Sequence, residues 1–350
     1  MHSRYAYDDL AAFATGVLAA AGLPDEPART VARGLIEADL LGHTTHGLAL
    51  LADYVEELDN ATMEREGGPA ILADHAAVAL WDGRRLPGVW TTALAVAEAE
   101  RRAAAFGIGA VAVRRSHHIA CLAAFLEAPA RRGTMVLVLS SDPSDAHVAP
   151  FGGTSPVLTP NPIAAGIPTG ADPILVDVST SITTAAMCAR RRAAGQPLPG
   201  RWVVDEEGAA TDDPAVMKNG GALMPIGGLD HGHKGYGLSL IVEALTQGLG
   251  GFGRADAPTQ WGASVLVLAL APALFGGLDG FVRQTGWLAE ACRAAAVPPG
   301  RPRVRLPGEA ALDRKRRALA EGVVLQAAIP GDLDRLAARF GLPAPTPLPA

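Results

Sequence analysis

The sequence predicts an α/β fold with helical ends, and three observations carry that expectation. The first sixty residues repeat apolar positions at helical spacing: Leu10, Phe13, Val17 and Leu18, then Val31, Leu35 and Ile36. From about residue 76, short apolar runs alternate with helical patterns, as in an α/β domain. The end of the chain is again mostly helical in pattern.

Taken in order, Gly22-Leu23-Pro24 stops the first helix, and Asp25 is placed to cap the second, which runs toward Gly42. Leu48 to Leu58 is a third amphipathic stretch. Ala77 to Trp81 reads as a strand, Trp90 to Phe106 as a helix stopped by Gly107, and Ile108 to Val113 as a strand. A helix is expected from there to Arg132, then a buried strand from Met135 to Leu139. Prolines and glycines crowd residues 142–170, which suits a functional loop better than a tether. Ile174 to Val178 follows as a strand, then a helix to Ala194, a strong helix from Lys234 to Leu249 and a strand from Ala263 to Leu270. The expected division is a helical N-terminal region (1–75), an α/β core (76–300) and a C-terminal helical region (301–350).

Bulk properties exclude several function classes. The 350 residues carry a formal net charge of −6 and no long basic tract, so no nucleic-acid partner is expected. Arg190-Arg191-Arg192 and Arg314-Lys315-Arg316-Arg317 fall in helical patterns and read as solvated faces. Cys121, Cys188 and Cys292 are odd in number and widely spaced, which predicts reduced thiols and a cytoplasmic protein. The start, MHSRYAYDDL, shows no secretory h-region. The strongest apolar run, Ala263 to Phe275, is too short for a bilayer and contains Pro272, so no membrane partner is expected.

Gly248-Leu249-Gly250-Gly251-Phe252-Gly253 satisfies the dinucleotide fingerprint in spelling only. That motif needs a strand before it and a helix after it, so that pyrophosphate meets a helix N-terminus. Here a helix precedes it, and a helix stop is the better reading. Three histidine groups carry more weight. His43 and His46 would share a helical face if the helix reached them, where the C-terminal dipole favours an imidazolium; a capping histidine is the plainer alternative. His118 follows a strand at an expected helix start, where a crevice or a phosphate could lie; a surface histidine is the alternative. His231 and His233 precede Lys234, which would open a helix and there favour a nearby anion unless it is simply exposed. A metal would need a third ligand beside His231 and His233, and none is evident, so no metal is expected.

At these residues the chain resembles the malate/L-lactate dehydrogenase family. The marks are Asp39-Leu-Leu-Gly-His-Thr-Thr-His46-Gly47, Ser116-His-His118, Thr159-Pro-Asn161-Pro162 and Asp177-Val-Ser-Thr-Ser181, then Thr211-Asp-Asp213-Pro214, Lys234-Gly-Tyr-Gly237-Leu238 and Leu306-Pro-Gly308-Glu309. The set, in this order, spans nearly the whole chain. The resemblance implies a non-Rossmann mixed-sheet nucleotide-binding domain, a homodimer, and NAD or NADP. It implies a cofactor held by His118, Ile119, Ala120, Cys121 and Leu122, by Ser140 or Ser141, by Asp177, Val178 and Ser179, by Lys234, and by Pro307, Gly308 and Glu309. It implies His46 as proton donor, with Thr45 orienting it, His118 as the other candidate for that role, and Tyr54 and Asn161 as substrate contacts.

The expected reaction interconverts a small 2-oxo acid and its 2-hydroxy acid by hydride transfer, with reduction of a cyclic 2-imino acid as the alternative. Two departures from the family pattern bear on the substrate. Leu50 stands where many members carry a carboxylate-clamping arginine, and Ala185-Ala186-Met187 stands where many carry a Gly-Lys pair. Both point to a monocarboxylate with an apolar or cyclic body rather than a dicarboxylate.

Overall fold

The computed structural model describes residues 3–349. A short strand, β1 (Arg4–Tyr5), precedes helices α1 (Tyr7–Ala20), α2 (Asp25–Leu41) and α3 (Leu51–Asp59). The expected apolar faces of α1 and α2 are buried, and the two helices pack together. Asp25 does not cap α2: Pro24 is the capping residue, and Asp25 already lies in the first turn, where its charge still suits the helix dipole. Gly42, at φ 92°, ends α2.

The core follows as β2 (Ala70–His75), β3 (Val78–Asp82), α4 (Gly88–Phe106), β4 (Ile108–Ser116), α5 (Glu127–Arg131), β5 (Met135–Ser141), β6 (Ile163–Ile167) and β7 (Ile174–Val178). Two of these strands escaped the sequence reading. β2 is an edge strand with Ile71 and Leu72 exposed, so it lacks a buried alternation. β6 lies inside the Pro/Gly segment, which is therefore not loop throughout. Next come α6 (Ala185–Ala193), the two-residue strands β8 (Val203–Val204), β9 (Ala210–Thr211) and β10 (Ala222–Leu223), and α7 (Gly228–Glu243). The chain closes with β11 (Ala263–Leu270), α8 (Leu278–Arg293), α9 (Glu309–Glu321), β12 (Val323–Val324) and α10 (Ile329–Phe340).

Seven strands form one mixed sheet in the order β2-β3-β4-β11-β5-β6-β7. Only β3 and β4 run parallel; the other neighbours are antiparallel. Because β11 opposes both β4 and β5, and β6 opposes both β5 and β7, strands β4, β5 and β7 end at one edge of the sheet. At that edge β6 and β11 begin. One face of the sheet buries Val111, Val113, Val136, Val138, Val265 and Val267, with α4 packed across β4 and β11. The other face is only partly covered: Ala110, Leu137, Ile163 and Leu80 stay half-buried around Val242 of α7.

The chain ends meet. β1 pairs with β12, α9 packs on α2, and α10 packs on α1 and α3. Strands β8, β9 and β10 form a separate small sheet beside α6, with its own apolar cluster of Val203, Leu223, Cys188 and Leu198. Strands of two residues leave no periodic signal, so this layer was not foreseen. Among the described residues, no helix is long and apolar enough to cross a membrane.

Candidate active site

The site lies at the edge where β4, β5 and β7 end. β4 reaches it through a bulge: the register passes from Val113 opposite Val265 to Ser116 opposite Ala263, and Arg115 takes φ 52°. The bend sends the His117-His118 backbone over the first turn of α4. A Cβ on Gly88 would come within 2.1 Å of the His117 carbonyl oxygen and 2.4 Å of that of His118, so only glycine fits beneath them. The helix expected from His118 to Arg132 is absent. Residues 117–121 are irregular, Ala120 has φ 56°, and only a 3₁₀ turn (Leu122–Phe125) and the five-residue α5 follow. A left-handed residue cannot continue a helix, so His118 does not stand at a helix N-terminus.

His43 and His46 do not share a helical face either, because α2 stops at Gly42 and a turn follows, closed by His46 N–H to the His43 carbonyl at 2.8 Å. Asp39 holds this turn from below. Its Oδ2 accepts the Leu48 N–H at 2.8 Å, and a Cβ on Gly47 would meet its carboxyl atoms at 2.4 Å. Thr45 Oγ1 lies 2.9 Å from His46 Nδ1, which leaves Nε2 as the free ring nitrogen. The rings of His46 and His118 stand 5.9 Å apart. His118 stacks on Trp261 at 4.3 Å, and His117 meets the same indole edge-on.

Burial governs the electrostatics. It lowers the His46 pKa, with Asp177 opposing and His43 adding to the shift. The imidazolium-favouring helix end expected from the sequence is therefore overturned by desolvation. His118 is held well below the usual imidazole range, first by burial, then by His46 and His117. Burial also takes His117 down to about 4, against its pairing with Glu57 at 3.0 Å. Asp39 is pushed up to about 7 by burial, and one of its oxygens has no partner.

A cavity of about 480 Å³ opens here. Of the expected residues, His46, His118, Ile119, Ala120, Cys121, Leu122, Ser140, Ser141, Asn161, Asp177 and Ser179 line it. A second cavity of about 220 Å³ shares His43 and Asp177 with the first and adds Val178, Pro307 and Gly308. Four expected residues line neither. Thr45 acts only on His46. Tyr54 is fully buried behind His118, its hydroxyl 3.0 Å from Nδ1, so it does not face the cavity. Lys234 does not open a helix: α7 starts at Gly228, which puts Lys234 in its second turn and exposed. Glu309 heads α9 but is paired with Arg293 and Arg303, which hold its pKa at about 2 together with the Leu306 N–H.

Two lining residues are already engaged. Ser141 Oγ meets Thr246 Oγ1 at 2.7 Å and accepts from Gln247 Nε2 at 3.0 Å, both on a π turn (Ala244–Gly248) that continues α7. Asn161, at φ 42°, donates from Nδ2 to Ser239 (2.8 Å) and Glu243 (2.9 Å) and accepts from Thr159 (2.7 Å). Leu249 and Gly250 extend this helix, and Gly251 takes φ 59°, so the glycine fingerprint is a helix stop as expected.

The sequence reading missed Trp261, Asp142, Asp145 and His147, all in the lining. A tryptophan beside Gly262 just ahead of β11 was the available signal; the other three were hidden by the Pro/Gly segment. Asp145 lies 2.8 Å from His147 and raises its pKa. No lysine or arginine lines the cavity. Among the described residues, His43, Cys121 and Asp177 bring one metal-ligating atom each within 4.8 Å of one another, and no such group includes His231 or His233. Burial, then Asp177, pushes the Cys121 thiol up, and that thiol donates to Asp177 Oδ2 at 3.7 Å.

Comparison with known proteins adds a second line. A sequence model described as malate/L-lactate dehydrogenase matches residues 5–334. The chain is 31% identical to L-lactate dehydrogenase of Cupriavidus necator over 346 residues, covering 95% of this chain and 97% of that one. It is 31% identical to Δ1-pyrroline-2-carboxylate reductase of Ancylobacter novellus over 331 residues, covering 92% and 94%. Its fold superposes on malate dehydrogenase of Pyrococcus horikoshii with a TM-score of 0.88 at 27% identity, covering 98% and 97%.

Proposed function

This chain belongs to the malate/L-lactate dehydrogenase family, and from that premise we propose that it is an NAD- or NADP-dependent oxidoreductase interconverting a small 2-oxo acid and its 2-hydroxy acid. The observation that carries this reading is the convergence of His46 and His118 on one cavity, beside a second that shares His43 and Asp177 with it. Two neighbouring cavities of this size suit an elongated nucleotide and a small acid better than a compact ligand alone. The donor set fits as well: the Ser179 hydroxyl and the first turn of α6 (Ala185 and Ala186) line the larger cavity, with Thr184 capping that helix.

In this reading the residues after β4, with Asp177 to Ser179, Pro307 and Gly308, hold the dinucleotide without a Rossmann sheet, which the mostly antiparallel strands here could not supply. When bound, the nicotinamide supplies a hydride to C2 of the substrate. His46 gives the proton to the C2 oxygen in reduction and takes it back in oxidation, with Thr45 orienting the ring. Residues 1–75 thus carry the proton-transfer group, 76–300 supply most of the cofactor and substrate site, and 301–350 add Pro307 and Gly308 to it and return to brace the first part. A cytoplasmic homodimer belongs to the same reading.

For the substrate, the lining favours one refinement. Asp142, Asp145 and Asp177 line the cavity and no lysine or arginine does; only Asp145 has a histidine partner, His147, so the second carboxylate of a dicarboxylate would find little cationic support. A monocarboxylate, or a cyclic 2-imino acid whose iminium form is cationic, suits this field. The test is NAD(P)H consumption over a matrix of both cofactors with pyruvate, oxaloacetate and cyclic imino acids. Oxaloacetate is expected to be a poor substrate beside the best monocarboxylate. Clear preference for it would overturn the refinement, and no consumption with any substrate would overturn the proposed activity.

A further inference from the structure

We propose that His118 serves as a neutral hydrogen-bond donor through Nε2–H, fixed in that tautomer by Tyr54, and that proton transfer belongs to His46 alone. The proposal rests on the cavity being the site of carbonyl or imine reduction, and it divides labour between two histidines that composition and motif treat alike.

The assignment starts at His118 Nδ1. The Ala120 backbone N–H reaches it at 3.4 Å, and the Tyr54 hydroxyl lies 3.0 Å away. A backbone N–H can only donate, so Nδ1 must accept. An imidazole with an accepting Nδ1 is neutral and carries its proton on Nε2. Tyr54 is fully buried and has no other side-chain hydrogen-bond partner: its one hydroxyl proton has Nδ1 at 3.0 Å as the nearer acceptor and the His118 carbonyl at 3.2 Å as the farther, while its oxygen also takes the Ala120 N–H. Below the ring, the Trp261 indole stacks at an interplanar angle of 25° and fixes the imidazole plane.

The neighbours of the three clustered histidines point the same way. His117 has the Glu57 carboxylate at 3.0 Å. His46 has the field of Asp177, which favours its charged form. His118 has a phenol, an amide N–H and an indole, and no carboxylate among its hydrogen-bond partners. A ring so placed has nothing to stabilise a positive charge. Tyr54 is thus a positioning residue, set behind the ring it orients.

The chemistry then balances with one proton donor. As C2 accepts the hydride, the C=O π pair moves onto oxygen. His118 Nε2–H stabilises that developing charge by a hydrogen bond and keeps its proton. His46, entering as imidazolium, gives its proton to the oxygen and leaves as neutral imidazole. A preset neutral imidazole donor has precedent as an electrophilic group in enzymes.

Nitrogen-15 NMR of histidine-labelled protein without ligand, at pH 7, tests the tautomer directly, with the His118 signals assigned by their loss in His118→Gln. The expected spectrum shows His118 protonated on Nε2 only. Tyr54→Phe, which keeps the buried ring, should shift His118 toward a mixture of tautomers. An Nδ1-protonated or doubly protonated His118 in the wild type, or a tautomer indifferent to Tyr54→Phe, would overturn the proposal. Turnover gives a second arm. His118→Ala should cost on the order of a hundredfold in kcat. His118→Gln, which restores an N–H donor, should recover about tenfold of that loss, whereas His46→Gln should be no better than His46→Ala. Equal losses in the two His118 variants would count against a donor role. Should no substrate turn over at all, the dehydrogenase reading fails, and the NMR arm still decides the tautomer.

Discussion

His46 and His118 sit within one aromatic cluster, yet Asp177 favours the charged form of His46 alone, and that difference sets what each can do. Asp177 offsets part of the desolvation of His46, whereas His118 has no such support. His46→Ala should therefore lose about 10²- to 10⁴-fold in turnover, the range for a general acid–base group, while nicotinamide binding followed by fluorescence stays near wild type. Near-normal turnover in that variant would remove His46 from the mechanism. The direction of its pKa also fixes the pH behaviour. Oxidation requires neutral His46, so its rate should fall only at pH values below the ordinary imidazole midpoint and reach a plateau by neutrality. Reduction, which needs the protonated form, should decline over the same acidic range as pH rises. A midpoint above 6.5 in the oxidation profile would contradict the burial of this ring.

At the scale of elements, the site depends on places where regular structure is interrupted. The π turn after α7 holds Ser141 of the cavity lining, and the β4 bulge and the turn after α2 each bring a histidine to the cavity. The last of these rests on Asp39, only 5% exposed and with one oxygen unpartnered. Burial raises its pKa from 3.8 to about 7, so the folded state binds this proton more tightly than the unfolded chain. Stability should thus fall as pH rises from 3.8 to about 7, by at most roughly 4 kcal/mol at about 1.4 kcal/mol per unit. Asp39→Asn keeps an acceptor for the Leu48 N–H and cannot ionise. Thermal denaturation should show the wild type losing stability relative to this variant across that window. Parallel stability curves from pH 4 to pH 8 would show that Asp39 does not titrate there.

At the scale of the whole molecule, the chain leaves apolar surface uncovered. Leu229, Leu238, Leu240 and Ile241 of α7 are exposed, and the sheet face beside that helix is half-covered. Exposed apolar side chains in such number suit an interaction site, and the expected homodimer would use them. Sedimentation equilibrium should give twice the chain mass, and Leu240→Glu should shift the protein toward the monomer. A wild type that stays monomeric at micromolar concentration would end that expectation. The N- and C-terminal segments are bound to each other through β1 and β12. The segment between β12 and the last helix also reaches the His46 turn, where Gln326 is hydrogen-bonded to Thr44.

The sequence by itself determined the helices and strands with strong periodicity, the histidine motifs that converge, and the false fingerprint at Gly248 to Gly253. Apolar spacing and glycine stops are local, so they are readable without a fold. It did not determine which expected residues face the cavity. Tyr54, Lys234 and Glu309 stand in the right motifs, but one is buried behind His118, one is on the exposed side of a helix that begins earlier than its pattern suggested, and one is held by two arginines. Tertiary structure alone also decided the direction in which the histidine pKa values move. A helix end favours imidazolium, but desolvation depends on everything packed around the ring, and here it prevails at both His46 and His118.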